Sequence, residues 1–174
     1  IWDYVFTDMG VWGFNPRSLS GIYLGNLPLG EVLFFITVPY ACIFIDACYT
    51  YYFKYQMSKW LVYLLSIAYL FCYLFFLQTN LGWYTGINFL YFSCMMIVVT
   101  IFSPKLFVAF FPSFLISLVP FFLVNSLLTG TGIEDEIVWY AQGEFSDFRF
   151  FTIPYEDILY SFNLMMSVKF VLSK

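Results

Sequence analysis

Long apolar runs with few polar interruptions dominate this chain. A membrane-spanning helix needs roughly 20 largely apolar residues, and runs of that length fit Glu31–Phe53, Trp60–Gln78, Trp83–Ile101, Leu106–Leu128 and Tyr155–Val171. The opening stretch, "IWDYVF", reads as the exit of a further helix whose start precedes Ile1, since no basic region or small-residue cleavage site marks a signal peptide. Two long stretches, about Thr7–Pro28 and Thr129–Pro154, break the helical pattern and carry the turn-forming residues. The pattern predicts an all-α integral membrane protein, a polytopic helical bundle forming a single membrane domain over residues 1–174.

Composition sharpens that reading. The chain is 62% hydrophobic and 25% aromatic, with only 10% charged residues and no histidine, a balance suited to lipid as solvent. Seven basic residues without a cluster cannot build a phosphate-tracking surface, so nucleic acid is excluded as a partner. Cys42, Cys48, Cys72 and Cys94 all fall in apolar stretches without C-x-x-C spacing and read as small core residues rather than metal ligands or disulfide partners. No metal site is expected.

The few charges orient the spans. Lys54 and Lys59 follow the first full span, Lys105 the third, and Lys169 and Lys174 the last, so alternation places all five on one face, the cytoplasmic one by the positive-inside rule. Ten of the eleven acids fall at the other end: Asp3, Asp8, Glu31, Glu134, Asp135, Glu136, Glu144, Asp147, Glu156 and Asp157. Only Asp46 lies deeper, toward the lysine side. The expected location is the cell membrane.

The two non-helical stretches share that acidic face and resemble each other. Trp12 precedes Asn15 by three residues, as Trp139 precedes Gln142, and each stretch ends on an aliphatic residue, a proline, two residues and an acid: Leu27-Pro28-Leu29-Gly30-Glu31 against Ile153-Pro154-Tyr155-Glu156-Asp157. This predicts an internal duplication of three-helix units, repeat 1 over about 1–78 and incomplete at its start, repeat 2 over about 79–174. With both loops on one face, the repeats are parallel, related about an axis along the membrane normal.

The segments "GVWGFNPRSLSGIYLGNLPLGEVLFFITVPYACIF" and "LVNSLLTGTGIEDEIVWYAQGEFSDFRFFTIPYEDILYSF" resemble the two halves of the lycopene cyclase domain, the small membrane-embedded carotenoid cyclases of heterodimeric type found in bacteria, archaea and fungi. The resemblance covers nearly the whole chain through the P-x-E-[ED] signature, the W-G-F-N segment and the P-Y-A-C continuation. It implies a lycopene cyclase of carotenoid biosynthesis, an isomerase of the intramolecular lyase type, working without cofactor on a lycopene-like substrate within the bilayer. It also implies a homo- or hetero-oligomer with another cyclase subunit. One position departs from the pattern: Gly30 stands where the family has the first glutamate of the motif.

Ring closure on a polyene requires an acid, a cation-tolerant pocket and a base. Without histidine the acid is a carboxyl group, kept protonated by desolvation or by a neighbouring carboxylate. Glu156 and Asp157 supply such a pair as the expected coupled acid and base and the expected proton donor, with Glu31, which has Gly30 beside it instead of a second acid, as the second acidic group across the site, expected to act as base or cation stabiliser. Aromatic faces can stabilise a cation by roughly 0.5–2 kcal/mol each. Trp12, Phe35, Trp139 and Tyr160 are the aromatic candidates for substrate contact; Asn15, Gln142 and Asn163 are the polar ones. Tyr160 and Asn163 lie at i+4 and i+7 from Glu156, a polar stripe expected to face the protein interior.

Simpler readings stand beside these. Proline followed by acids also opens ordinary helices, Asn125 and Asn163 can serve as interhelical hydrogen-bonding groups, and Pro39, Pro112 and Pro120 can be tolerated bends. Gly130-Thr131-Gly132 lacks the flanking strand and helix of a dinucleotide fingerprint, and Glu134-Asp135-Glu136 reads as a solvated charge cluster. Asp3 and Asp8 are both placed to join the polar site, while Arg17 and Arg149 are expected to pair with nearby carboxylates. A carotenoid hydratase trapping the same cation with water, a non-catalytic carotenoid-binding partner subunit and a transporter remain open alternatives at this point. The lysine asymmetry predicts that Ser18→Cys and Ser146→Cys are both labelled by a membrane-impermeant thiol reagent added outside intact cells; labelling of one alone contradicts the parallel arrangement.

Overall fold

The computed structural model describes residues 2–53, 58–76 and 82–173. Ile1, Lys54, Gln78 and Lys174 lie outside the described residues, as does the side chain of Cys72. Helices dominate: α1 (Trp2–Asp8), α2 (Leu29–Tyr52), α3 (Lys59–Phe76), α4 (Trp83–Phe102), α5 (Pro104–Leu128) and α6 (Tyr155–Leu172). Three segments are long and apolar enough to cross a membrane, Leu29–Tyr52, Trp83–Phe102 and Lys105–Leu128. The protein is a helical membrane protein.

The two loop stretches are more ordered than their irregular sequence suggests. They contain short strands β1 (Trp12–Phe14), β2 (Tyr23–Leu24), β3 (Leu27–Pro28), β4 (Val138–Tyr140), β5 (Arg149–Phe150) and β6 (Ile153–Pro154). β2 and β3 form a hairpin with Tyr23 opposite Pro28, and β5 and β6 form another with Arg149 opposite Pro154. Each prolyl residue is extended and ends its strand where a ladder N–H is dispensable, and the long helix starts at the next residue. This places α2 two residues earlier than the apolar run alone indicates.

The hairpins also share their backbone at the turns. Positive φ occurs at Gly21 (77°) and Gly25 (68°) before α2, and at Asp147 (61°) and Phe151 (56°) before α6. Glycine takes this conformation freely, whereas Phe151 holds it at a steric cost. The helix-start amides match too: Leu29 N–H donates to Ile22 O at 2.9 Å and Tyr155 N–H to Phe148 O at 3.0 Å. β1 pairs antiparallel with β4, joining the two loops with Trp12 opposite Tyr140 and Gly13 opposite Trp139. The Trp139 indole lies directly over Gly13, where a Cβ would collide with it.

Interhelical bonds fix the helix directions. α4 and α6 run parallel, with Tyr84 bonded to Asp157 at one end and Tyr91 to Ser167 further along. α5 runs antiparallel to α2, since Ser113 Oγ donates to Asp46 Oδ1 at 2.6 Å while Phe34 and Asn125 line one cavity at the opposite end. Lys169 of α6 forms an ion pair with Asp46 of α2, so these helices also run in the same direction. Asp46 is almost fully buried, and this lysine explains how a carboxylate is held among apolar helices. The main core gathers Phe107, Phe110, Phe114, Phe162, Met165 and Met166 from α5 and α6, and a second cluster of Phe6, Val11, Trp12, Tyr84 and Phe145 lies beneath the loops.

The start of α4 depends on close backbone contact. Trp83 N–H donates to the Glu144 carboxylate at 3.0 Å and Tyr84 N–H to the Glu144 carbonyl at 3.0 Å, satisfying amides that have no intrahelical partner. A Cβ at Gly82 would collide with the Glu144 backbone, which cannot yield as a flexible side chain does. Gly82→Ala is therefore expected to destabilise the fold by about 1–3 kcal/mol, measured as a lowered thermal midpoint of the detergent-solubilised protein.

Candidate active site

A cavity opens where the loop ends of α1, α2, α4, α5 and α6 converge. Three carboxyl side chains line it: Asp3 from α1, Glu31 from the first turn of α2 and Asp157 from the first turn of α6. Around them stand the aromatic rings of Trp12, Phe14, Phe34, Tyr84, Phe121, Tyr140 and Tyr160, and no lysine or arginine is part of the lining. Prolines at the helix entrances create this convergence, because each hairpin ends at Pro28 or Pro154 and delivers an acid into the following helical turn.

Asp157 is held by two phenols. Tyr84 Oη donates to its Oδ1 at 2.5 Å and Tyr140 Oη to its Oδ2 at 2.8 Å, so each carboxylate oxygen accepts one O–H. The two rings stack with centroids 5.9 Å apart, and Trp12 meets Tyr84 edge-on at 5.1 Å. Tyr140, in the loop strand β4, has its hydroxyl pushed well above the usual phenol range by burial and by the adjacent Asp157 carboxylate, which keeps it an O–H donor. Tyr160 Oη makes a longer bond to Asp3 Oδ1 at 3.4 Å. Among the described residues, no hydrogen bond reaches the Glu31 carboxyl group.

Glu156 behaves differently from its neighbour. Its side chain is fully buried and turns away from the cavity into the α4–α6 contact, where Oε1 accepts from Thr85 Oγ1 at 2.6 Å and from Ser146 N–H at 2.8 Å. The expectation of a coupled Glu156/Asp157 acid and base facing one site needs correction. Successive helical residues point about 100° apart, and here one serves the cavity and the other the helix contact, with no hydrogen bond between them.

The other candidates divide similarly. Trp12 and Tyr160 line the cavity as expected. Phe35 does not; Phe34 takes that place, with Phe35 edge-on to it at 5.8 Å. Asn15 accepts from Arg17 N–H at 3.1 Å and caps the short 3-10 turn Pro16–Ser18, and Gln142 is exposed in a loop. Trp139 covers Gly13 on the outer side of the β1–β4 ribbon. Asn163 donates to Asn88 Oδ1 at 2.9 Å, an interhelical bond, while Asn125 lines the cavity. Asn15 is spent on a turn before any substrate could reach it, Asn163 serves the α4–α6 contact, and Phe35 and Trp139 lie outside the cavity lining.

Both arginines were expected to meet carboxylates, and one does. Arg17 pairs with Asp135 at 3.4 Å across the two loops, both side chains exposed. Arg149 instead lies over the rings of Phe145, 4.7 Å from the centroid, and Tyr140, at 5.8 Å, and donates to Thr152 O. Tyr84, Thr85 and Asn88, at the start of α4, have no motif to announce them; only their spacing of polar residues at i, i+1 and i+4 in an apolar run was available as a signal. Among the described residues, no group of three or more histidine, cysteine, aspartate or glutamate side chains is gathered as a metal site requires.

The lycopene cyclase family model matches residues 1–49 and 80–173, which include both loops, α1, most of α2 and all of α4, α5 and α6. The chain belongs to the lycopene cyclase family. The unmatched interval holds the end of α2 and all of α3, so the family match covers the elements that build the cavity. No curated protein and no solved structure gives a match to the chain. Membership brings carotenoid-cyclase-type function to a chain whose cavity has acids and aromatic faces but no basic lining residue.

The division between Asp157 and Glu156 has a measurable consequence. Glu156→Ala removes two hydrogen bonds from a buried carboxyl and leaves Thr85 Oγ1 and Ser146 N–H without their acceptor, a loss of about 3 kcal/mol or more at roughly 1.5–3 kcal/mol per bond. Its thermal midpoint should fall well below that of Asp157→Asn, which keeps the side-chain volume. Equal stability of the two variants would contradict the structural role of Glu156.

Proposed function

We propose that this protein cyclises the linear end groups of lycopene by proton-initiated, non-redox chemistry, with Glu31 and Asp157 as the working acids. The observation that carries the reading is the cavity itself: three carboxyl groups and a wall of aromatic rings, without a basic side chain in the lining. Three neighbouring carboxyls in a largely apolar cavity resist ionising together, so at least one is available as a proton donor. A carbocation formed there meets negative charge and ring faces on several sides.

The steps balance without a redox partner. A carboxylic acid gives its proton to the terminal carbon–carbon double bond, leaving a tertiary cation. The π electrons of a neighbouring double bond then form the new ring carbon–carbon bond and move the positive charge into the ring. Loss of a ring proton to a carboxylate restores a double bond, so substrate and product are isomers with ionone-type rings. Asp157, held by two phenolic O–H donors, suits the carboxylate that stabilises the cation and takes the ring proton. Glu31, without such donors, suits delivery of the first proton, the reverse of the division expected from the sequence. Asp3, paired weakly with Tyr160, adds to the negative field.

The duplication of the chain supports this division. Pro28, Gly30 and Glu31 correspond to Pro154, Glu156 and Asp157, and the matching turns at Gly21 and Gly25 and at Asp147 and Phe151 support two repeats related by an axis through the β1–β4 ribbon. On this reading all of α2 to α6 cross the bilayer, and the two acids face one another as pseudo-symmetric partners. Gly30 then loses only the counterpart of Glu156, a helix-anchoring group, and a Cβ there meets nothing within 4 Å. The departure from the family signature thus spares the reacting acids.

Expression in lycopene-accumulating cells, with mass and absorbance analysis of extracted pigment, tests the proposal. A product of unchanged mass and shifted absorbance is expected, and Asp157→Asn and Glu31→Gln should each reduce its formation by about 10²–10⁴-fold, the range of general acid–base contributions. A product heavier by one water would replace cyclisation by hydration. Normal turnover in both variants would remove these acids from the mechanism.

A further inference from the structure

The carboxyl-lined cavity does not end at its aromatic wall. Phe34, Val38, Phe121 and Asn125 line both it and a second, largely apolar groove that continues between α2 and α5. Along α2 the groove passes Phe34, Thr37, Ala41 and Ile45, positions that recur on one helical face, and on α5 it passes Val124, Phe121, Pro120 and Ser117. From Glu31 to Ile45 this is fourteen residues of helix, or about 21 Å.

Two features define what such a groove admits. Its width comes from small side chains, Ala41, Cys42 and Ser117, where neighbouring turns carry phenylalanine and isoleucine. It also opens sideways, because Ala41, Pro120 and Val124 are exposed on the face an apolar solvent would cover. A narrow, apolar slot, open to lipid and joined at one end to a cluster of acids, matches an extended hydrocarbon whose reactive group is at its tip.

We propose that the α2–α5 groove binds the unreacted arm of the linear polyene while one end group sits between Glu31 and Asp157, and that Ala41 and Val124 set the width of the slot. The inference rests on the cyclase reading for its substrate, and on the continuity of the two cavities for its location. Substrate enters from the bilayer through the open side, and one end is processed at a time, since the groove leads to a single cluster of acids. After the first ring forms, the molecule must leave and re-enter reversed for the second.

The test compares a full-length linear polyene with a truncated one that has the same end group but a shorter arm, using the full chain and the variants Ala41→Phe and Val124→Trp. Both sites are exposed, so the larger side chains need not disturb the core. Each variant is expected to lower conversion of the full-length substrate by about tenfold or more, with conversion of the truncated one staying within about twofold of wild type. Ile36→Phe, exposed on α2 and outside the groove, should change neither. Unchanged conversion of the long substrate, or equal loss on both, overturns the proposal. Retention of polyene by protein purified from lycopene-accumulating cells gives a second reading that does not depend on turnover. If wild type converts neither substrate, the cyclase reading fails, and the groove stands only if wild type retains pigment while Ala41→Phe retains about a tenth as much. Equal retention, or a lipid acyl chain found in place of polyene, overturns it.

Discussion

The hydrogen-bonded seam between α4 and α6 is the constraint on which the rest depends. In lipid, apolar side chains gain little by leaving their solvent for a neighbouring helix, so packing and interhelical hydrogen bonds must hold helices in register. Here Tyr84 donates to Asp157 and Thr85 to Glu156, Asn163 donates back to Asn88, and Tyr91 meets Ser167, so the two helices are paired turn by turn. Asn88 also donates to the Glu156 carbonyl at 2.7 Å, tying the first turn of α6 to α4. A slip by one residue would leave several of these groups unpaired in an apolar surrounding, and the cost of such groups fixes the register. Once α6 is fixed, Asp157 has one position relative to the cavity.

The loops complete what the seam begins. β1 and β4 join two stretches more than a hundred residues apart in sequence, and this ribbon sets Trp12 beside Tyr140 and Tyr84 over the cavity. Tyr140 brings the second phenol to Asp157 from the loop side, so the carboxylate is held jointly by a helix and by the ribbon. At the opposite end, Asp46 and Lys169 link α2 to α6, so the two helices that deliver Glu31 and Asp157 are tied together away from the site. The positions of the site's acids and rings are thus fixed by packing and hydrogen bonds, so its charge is preorganised.

The roles of neighbouring acids follow from the same geometry. Glu156 and Asp157 are chemically similar and adjacent, yet helical rotation gives one to the helix contact and the other to the cavity. This bears on the Gly30 departure: the position matching Glu156 is free of contacts, whereas the position matching Asp157 retains its acid. A signature read as two catalytic residues is better described, on the duplication we propose, as one anchoring residue and one reacting residue.

Much of this was legible in the chain itself. The apolar runs located the five long helices to within a few residues, because in a membrane length and hydrophobicity suffice to define a helix. Proline before an acid located both helix entrances, since a residue without an N–H ends a strand and can precede a helix. The family followed from the loop motifs. What the sequence alone could not decide was direction. Whether Phe34 or Phe35 lines the cavity, whether Asn15 and Gln142 reach substrate or cap turns, and whether Glu156 faces the cavity or Thr85 all depend on a rotation of about 100° per residue and on partners far along the chain. Tyr84 and Tyr140 acquire their role only when α4 and the β1–β4 ribbon meet at Asp157. The sequence determined that acids and aromatic rings would gather at one end of a helical membrane protein; the tertiary structure decided which of them share a cavity, because hydrogen bonds in an apolar medium permit one register.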